Sequence, residues 1–267
     1  MPRIKKGGYY VSQINVNTPE QASADQTWNY GRVTVEALYL RKSPSRKAAR
    51  WNNVWPKDRI ALIKPSFEDG WYETLYRGQK AFAMADYIEP IPDAVSDSII
   101  DRMLYMAEPE LGRNRSIYFN GYNGAWCHRF ADWLPMHAGL PANRIPDVGN
   151  CAWGIVWFNT KQNSGGFHFK NQKLKEGMIR GYSPIRRMKK ELTEEERAYI
   201  PSVGDYVYFK WLSAKANTRV SHVAIVRQVS SSDIMTIEGN VRSRVTSRVF
   251  ALDDPRIVGY GKPNYQL

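Results

Sequence analysis

Cysteine is scarce in this chain: Cys127 and Cys151 are the only two in 267 residues, too few for a disulfide framework. With the four histidines, His128, His137, His168 and His222, they form no C-x-x-C or H-x-x-x-H spacing, and no Asp-x-Asp calcium loop precedes Cys127. Neither a metal nor any other cofactor is therefore expected. No apolar run approaches the roughly 20 residues that a membrane-spanning helix needs. The basic start Met1-Pro2-Arg3-Ile4-Lys5-Lys6 leads into Gly7-Gly8-Tyr9-Tyr10 rather than an apolar core, so a cleaved secretion signal is not expected. Helix-turn-helix, RNP-type and zinc-finger patterns are missing as well, which argues against a specific nucleic-acid partner.

Positive charge, by contrast, is plentiful. Thirty-eight Lys and Arg against 26 Asp and Glu give a net charge of +12. The basic residues gather at Lys170, Lys173, Lys175, Arg180, Arg186-Arg187 and Lys189-Lys190, until Glu194-Glu195-Glu196 interrupts them. Such a field favours polyanions, either nucleic acid or the anionic polymers of a bacterial wall. A solvated basic face with no partner is the plain alternative.

The most informative stretch is Trp126-Cys127-His128-Arg129-Phe130-Ala131-Asp132-Trp133-Leu134. Phe130, Ala131 and Leu134 follow Cys127 at the spacing of a buried helical face, with Gly124-Ala125 before it and Gly139 after. Cys127 thus begins a helix, where unpaired N–H groups and the positive end of the macrodipole favour thiolate over thiol. Most buried cysteines are inert core residues, so position alone is a modest signal. Cys151, before Ala152-Trp153, reads as a small core residue.

A cysteine nucleophile needs a base, and the base needs an orienting group. Ser221-His222-Val223-Ala224-Ile225-Val226-Arg227 reads as a strand, Ser230-Ser231-Ser232-Asp233 as a turn, and Ile234 to Glu238 as the returning strand. Folding this hairpin brings Asn240 or Val241 nearly opposite His222. Strand alternation points Glu238 and Asn240 to one face, but a slip of one residue would reverse which face they share with His222. His128 lies about 100° around the helix from Cys127 and makes a poor base; His137 and His168 have no strong claim.

Three blocks resemble the CHAP family (cysteine, histidine-dependent amidohydrolase/peptidase). They are Trp126-Cys127 with Phe130 and Ala138-Gly139-Leu140; Cys151-Ala152-Trp153-Gly154 with Trp157-Phe158; and Pro201 to Phe209 running on to Ser221 to Val226 and Glu238-Gly239-Asn240. The resemblance implies a papain-like fold over about residues 98 to 267. It also implies Cys127 as nucleophile, His222 as general base, Glu238 as the group orienting the imidazole and Asn240 as further polar support. The N–H of Cys127 would help bind the oxyanion, with Asn123 or Tyr122 as a second donor. Pro135 departs from the pattern and is expected to kink the nucleophile helix. The insertion from Lys170 to Tyr199 is richer in charge than a minimal domain needs.

Ahead of this part, residues 1–29 read as a polar arm. Residues 30–92 read as short strands with turns at Asp69-Gly70 and Arg77-Gly78, ending at Glu89-Pro90-Ile91-Pro92. Leu40-Arg41-Lys42-Ser43-Pro44-Ser45, Gly70-Trp71-Tyr72 and Asp86-Tyr87-Ile88 resemble bacterial Src-homology-3-like barrels, a resemblance that implies wall targeting. Trp51, Trp55, Trp71, Tyr72 and Tyr76 are the candidates for stacking on wall sugars or peptides, although some must fill the barrel.

The fold expected is therefore α+β, a papain-like domain preceded by a small all-β barrel. The function expected is hydrolysis of a peptidoglycan amide, either the muramoyl–alanine bond or a peptide bond, through a cysteine thioester. Made without a signal and carrying a wall-binding barrel, such a chain resembles phage or prophage lysins released through a holin pore. Two alternatives stay open: a wall-binding protein with a degenerate catalytic scaffold, and a cysteine amidase acting on a soluble peptide conjugate.

Overall fold

The structure, a computed structural model, describes residues 28–65, 69–114, 124–162, 164–211 and 220–266. Nearly all of the polar arm, and both Tyr122 and Asn123, lie outside them.

Seven short strands form the N-terminal unit: β1 Asn29–Val33, β2 Ala37–Arg41, β3 Arg50–Pro56, β4 Ile60–Pro65, β5 Trp71–Tyr76, β6 Gln79–Met84 and β7 Ile88–Ile91. They pair in the order β3-β2-β6-β5-β4-β1-β7. Alternation works as expected along β2, where Leu38 and Leu40 point into the core and Tyr39 points out. Arg77 and Gly78, at φ 51° and 71°, join β5 to β6 directly. Two left-handed residues in a two-residue loop match the natural twist of a hairpin. Val33, Leu38, Leu40, Trp55, Ala61, Ile63, Ala81, Ala83 and Ile88 fill this unit's own core.

The C-terminal part mixes helices and strands. Helix α1 (Ile99–Ala107) is capped by the Ser98 hydroxyl, which accepts from Asp101 N–H. Then come α2 (Cys127–His137), α3 (Cys151–Thr160), β8 (Ser164–Phe169), α4 (Gln172–Gly181) and α5 (Glu194–Ala198). The last strands are β9 (Tyr206–Phe209), β10 (His222–Val229), β11 (Asp233–Val241), β12 (Arg244–Ala251) and β13 (Ile257–Pro263). The sheet runs β12-β11-β10-β9-β13-β8. One face, with Tyr206, Tyr208, Val223, Ile225 and Ile237, packs on α1, α2 and α3. The other carries Val207, Phe209, Ala224, Val226, Ile234 and Phe250 as a separate cluster.

Pro135 lies inside α2 without ending it. It cannot donate to the Ala131 carbonyl four residues back, and the Tyr206 hydroxyl donates to that oxygen instead, at 3.0 Å. The helix therefore runs on to His137 while fastened to the sheet.

Part of the predicted basic field turns inward. Lys175 on α4 is buried and donates to Glu196 at 2.6 Å and to the Glu191 carbonyl at 2.7 Å. Glu196 also closes a capping box with Thr193 at the start of α5. Lys175 thus ties the insertion together and faces no partner, and one of the three interrupting acids is its counter-ion.

The two parts share a core. Tyr30, Ile60 and Leu62 of the N-terminal unit pack with Met103, Met106 and Trp133 of α1 and α2. The Arg59 guanidinium forks onto both Glu110 carboxylate oxygens at 2.9 and 3.0 Å, with side chains 2% and 0% exposed. It also lies 4.7 Å over the Trp133 ring. His137 Nε2 faces the Ile60 carbonyl at 3.1 Å, and burial pushes its pKa down to about 3. It is a neutral donor in the seam between the parts.

Candidate active site

Cys127 is the first residue of α2, as its sequence position predicts. The close approach of β11 brings the other groups to it. A Cβ on Gly239 would stand 2.5 Å from the Trp126 ring and 2.6 Å from Phe130 Cβ, so only glycine lets the strand lie this near the first turn of α2.

The hairpin register decides which side chains share a face. Val229 pairs with Ile234 and Gln228 with Met235, but Val226 pairs with Thr236, leaving Arg227 as a bulge. Beyond the bulge Ile225 faces Ile237, and continuing that register sets Ala224 opposite Glu238. Glu238 therefore shares a face with His222. Without the extra residue it would lie opposite Ile225, on the other side of the sheet.

His222 Nε2 lies 2.5 Å from Glu238 Oε2, and the imidazole is close enough to Cys127 for each to shift the other's pKa. Burial alone would depress its pKa, but the hydrogen bonds and charges of Cys127 and Glu238 outweigh that and raise it to about 9. Two Arg248 nitrogens contact the two Glu238 oxygens at 2.7 Å each, and the Thr236 hydroxyl donates to Oε1 at 3.0 Å. Burial would raise the Glu238 pKa, yet Arg248 and His222 together hold it below the usual carboxylate range. Asn240 sits where the β11–β12 register shifts, at φ 67°, and makes no side-chain hydrogen bond among the described residues. The shift breaks the regular alternation that placed Asn240 beside Glu238, so the hydrogen bond to His222 comes from Glu238.

The second cysteine is closer to the chemistry than expected. Cys151 fills core space, and its sulfur also lies 3.7 Å from that of Cys127. Both thiols are free. The hydrogen bond between the two sulfurs is the foremost influence on Cys127, whose pKa falls well below that of an ordinary thiol despite burial. His222 and the charge of His128 act in the same direction, and Cys151 is pushed up in return. This pairing leaves no mark in the sequence, because 24 residues separate the cysteines. Arg248 was equally hidden, since its approach depends on the register of β12.

His128 is no base toward Cys127, as the helical angle predicts. It is buried, with Nδ1 2.9 Å from Asp132 Oδ2 and Nε2 2.9 Å from the Tyr208 hydroxyl. Asp132 also accepts the Val148 N–H at 3.1 Å and the Tyr206 hydroxyl at 3.2 Å. A Cβ on Gly154 would meet His128 Nε2 at 2.0 Å, so α3 needs glycine to pack there. His168 stacks on Tyr199 at 3.7 Å between ring centres, away from these residues.

Of the five candidate wall-binding aromatics, Trp55 is buried in the core of the N-terminal unit, where it faces no ligand. Trp51 stacks on Tyr76 with ring centres 4.7 Å apart, and the Lys42 ammonium lies 4.9 Å over Trp51. Trp71, Tyr72 and Tyr76 are partly exposed.

Three solved structures are similar to this chain at low overall superposition. An NlpC/P60 family protein from Bacillus cereus ATCC 10987 has 15% identity and a TM-score of 0.36, over 90% of this chain and 64% of that one. NlpC2 from Trichomonas vaginalis has 16% identity and a TM-score of 0.34, over 90% and 74%. An NlpC/P60 endopeptidase from Photobacterium damselae subsp. piscicida has 9% identity and a TM-score of 0.34, over 88% and 47%. The chain thus spans just under two thirds of the Bacillus cereus protein. No curated protein matches it significantly. Residues 117–240, which include Cys127, His222, Glu238 and Asn240, match the CHAP domain.

Proposed function

We propose that this protein hydrolyses an amide bond of bacterial peptidoglycan through a thioester on Cys127. The observation that carries the reading is the His222 imidazole, which is hydrogen-bonded to an ionised, arginine-held Glu238 and lies beside Cys127, whose thiol it pushes toward thiolate. Glu238 occupies Nε2, which leaves Nδ1 for the sulfur. The resting pair is a thiolate beside an imidazolium.

The thiolate attacks the amide carbonyl, and its electron pair forms the carbon–sulfur bond as the carbonyl pair moves onto oxygen. The Cys127 N–H, in the first turn of α2, has no helical carbonyl to bond and stabilises that oxyanion. The imidazolium gives its proton to the leaving nitrogen as the carbon–nitrogen bond breaks. Neutral His222 then takes a proton from water, which attacks the thioester and frees the acid. Glu238 keeps one tautomer in place and stabilises the cation that forms.

The choice of peptidoglycan follows from the CHAP match and the +12 charge, which suits a polymer bearing anionic groups. The stacked Trp51–Tyr76 pair under Lys42 supports a wall-binding role for the N-terminal unit.

Digestion of purified peptidoglycan, with mass spectrometry of the fragments, tests this and separates cleavage at the muramoyl–alanine bond from cleavage of a peptide bond. Cys127→Ser, nearly isosteric, should release no fragments while melting like the wild type. Digestion by Cys127→Ser at the wild-type rate would remove the cysteine from the mechanism.

A further inference from the structure

We propose that Cys151 is a working part of the active site: its thiol donates a hydrogen bond to the Cys127 sulfur and holds it as the thiolate. The inference rests on Cys127 being the nucleophile and gives Cys151, read from sequence as a small core residue, a part in that site.

The sulfurs are 3.7 Å apart, within hydrogen-bonding reach for sulfur and well beyond the roughly 2.05 Å of a disulfide. Each cysteine is the first residue of a helix, Cys127 of α2 and Cys151 of α3. Two positive helix ends therefore converge on the pair and favour negative charge there. Two thiolates in contact would repel, so the pair carries one negative charge and one proton. The surroundings decide which sulfur keeps the proton. His222 and His128 place positive charge near Cys127, whereas the charge of Asp132 bears on Cys151. The anion is Cys127 and the donor is Cys151.

The contact is built rather than incidental. Asp132 on α2 holds the Val148 N–H, and two residues later Asn150 caps α3 by accepting from Ala152 and Trp153 N–H. Gly154 lets the same helix settle against His128 and Tyr208. Both ends of the first turn of α3 are thus fixed with respect to α2, and Cys151 has little freedom to leave. No proton moves along this contact. When the sulfur forms its bond to carbon it loses its charge and the hydrogen bond weakens; when the thioester breaks, the same donor receives the returning thiolate. The donor thus lowers the pKa of the attacking group at some expense in its intrinsic nucleophilicity.

The test uses full-length protein and needs no wall substrate. The rate of alkylation of Cys127 by iodoacetamide is followed across pH 5 to 10 by the mass of its peptide. Wild type should react with a midpoint well below the ordinary thiol value of about 8.5. Cys151→Ala should raise the midpoint by about one unit, slowing the reaction up to about tenfold at pH values below the wild-type midpoint and not at pH 9.5. Cys151→Ser, which keeps a donor, should fall between. A Cys151→Ala profile that overlays the wild type, or is slowed equally at every pH, overturns the proposal, the second outcome marking a packing role only. Should Cys151→Ala not fold, thiolate absorbance near 240 nm decides: wild type should show one thiolate below pH 7 and Cys127→Ser none. A thiolate below pH 7 in Cys127→Ser would make Cys151 the anion and overturn the assignment. If these profiles hold while peptidoglycan is left intact, the substrate assignment fails and this inference stands.

Discussion

Arg248 contacts both carboxylate oxygens of Glu238 at 2.7 Å, on the strand beyond the one that faces His222. The carboxylate that meets His222 is thus itself held in place, and in the proposed resting state thiolate, imidazolium, carboxylate and guanidinium form a row whose charges sum to zero. A buried carboxylate that loses one cation is costly, about 3–5 kcal/mol where both partners are buried. Arg248 is 31% exposed, so solvent screens part of the interaction and Arg248→Met should cost less than that. The pH sign follows from the depressed pKa of Glu238. Its stabilisation is present above the unfolded carboxylate value, near 4.3, and is lost as pH falls through the lower folded value. Urea midpoints of wild type and Arg248→Met should therefore differ at pH 7 and converge in acid.

The hydrogen bonds rank the remaining site variants. His222→Ala should lower kcat/KM on peptidoglycan by several orders of magnitude. Glu238→Gln should lose less, since an amide still accepts from Nε2 but carries no charge. Asn240→Ala should lose least, having no hydrogen bond to give up. A larger loss for Asn240→Ala than for Glu238→Gln would make the amide the orienting group.

For His222 the shift runs the other way. Its folded pKa is raised to about 9, so its contribution to stability is complete below the unfolded value of about 6.5 and fades as pH rises through 9. Melting temperatures of wild type and His222→Ala should differ most below pH 6.5 and draw together above pH 9. The rate should follow the same ion pair, with an alkaline limb near 9 and an acid limb at the depressed pKa of Cys127. An alkaline limb near 6.5 would mean that no imidazolium–thiolate pair forms.

Wall binding is best tested without truncation. Removing residues 1–92 would strip Tyr30, Ile60 and Leu62 from the shared core and leave Glu110 without Arg59. Any loss of binding would then be confused with loss of folding. Trp51→Ala and Tyr76→Ala in the full-length chain should weaken sedimentation with purified walls and leave turnover of a soluble muropeptide unchanged. Part of that binding should fall with salt, since the Debye length is about 10 Å at 0.1 M. Unchanged sedimentation of both variants would remove the stacked pair from wall binding.

Local signals made some of this legible from sequence. The helix that starts at Cys127 and the strand through His222 each depend on neighbours a few residues away. What escaped depends on distant packing. The bulge at Arg227 sets the face that Glu238 shares with His222, yet no residue type there announces an extra residue. Arg248 and Cys151 reach the site only through strand register and helix packing. Trp55 reads like its exposed neighbours because a period of two needs a reference face, and that face became known only with the core. Lys175 reads as a surface charge until its partner 21 residues later is in place.

The Arg59–Glu110 fork also bears on how such a chain can be rearranged. Here the joint is an interior rather than a tether. A replacement unit would have to present an arginine to Glu110, apolar side chains to Met103 and Trp133, and a carbonyl to His137. A chimera joined near residue 92 should therefore fail unless these four contacts travel with it.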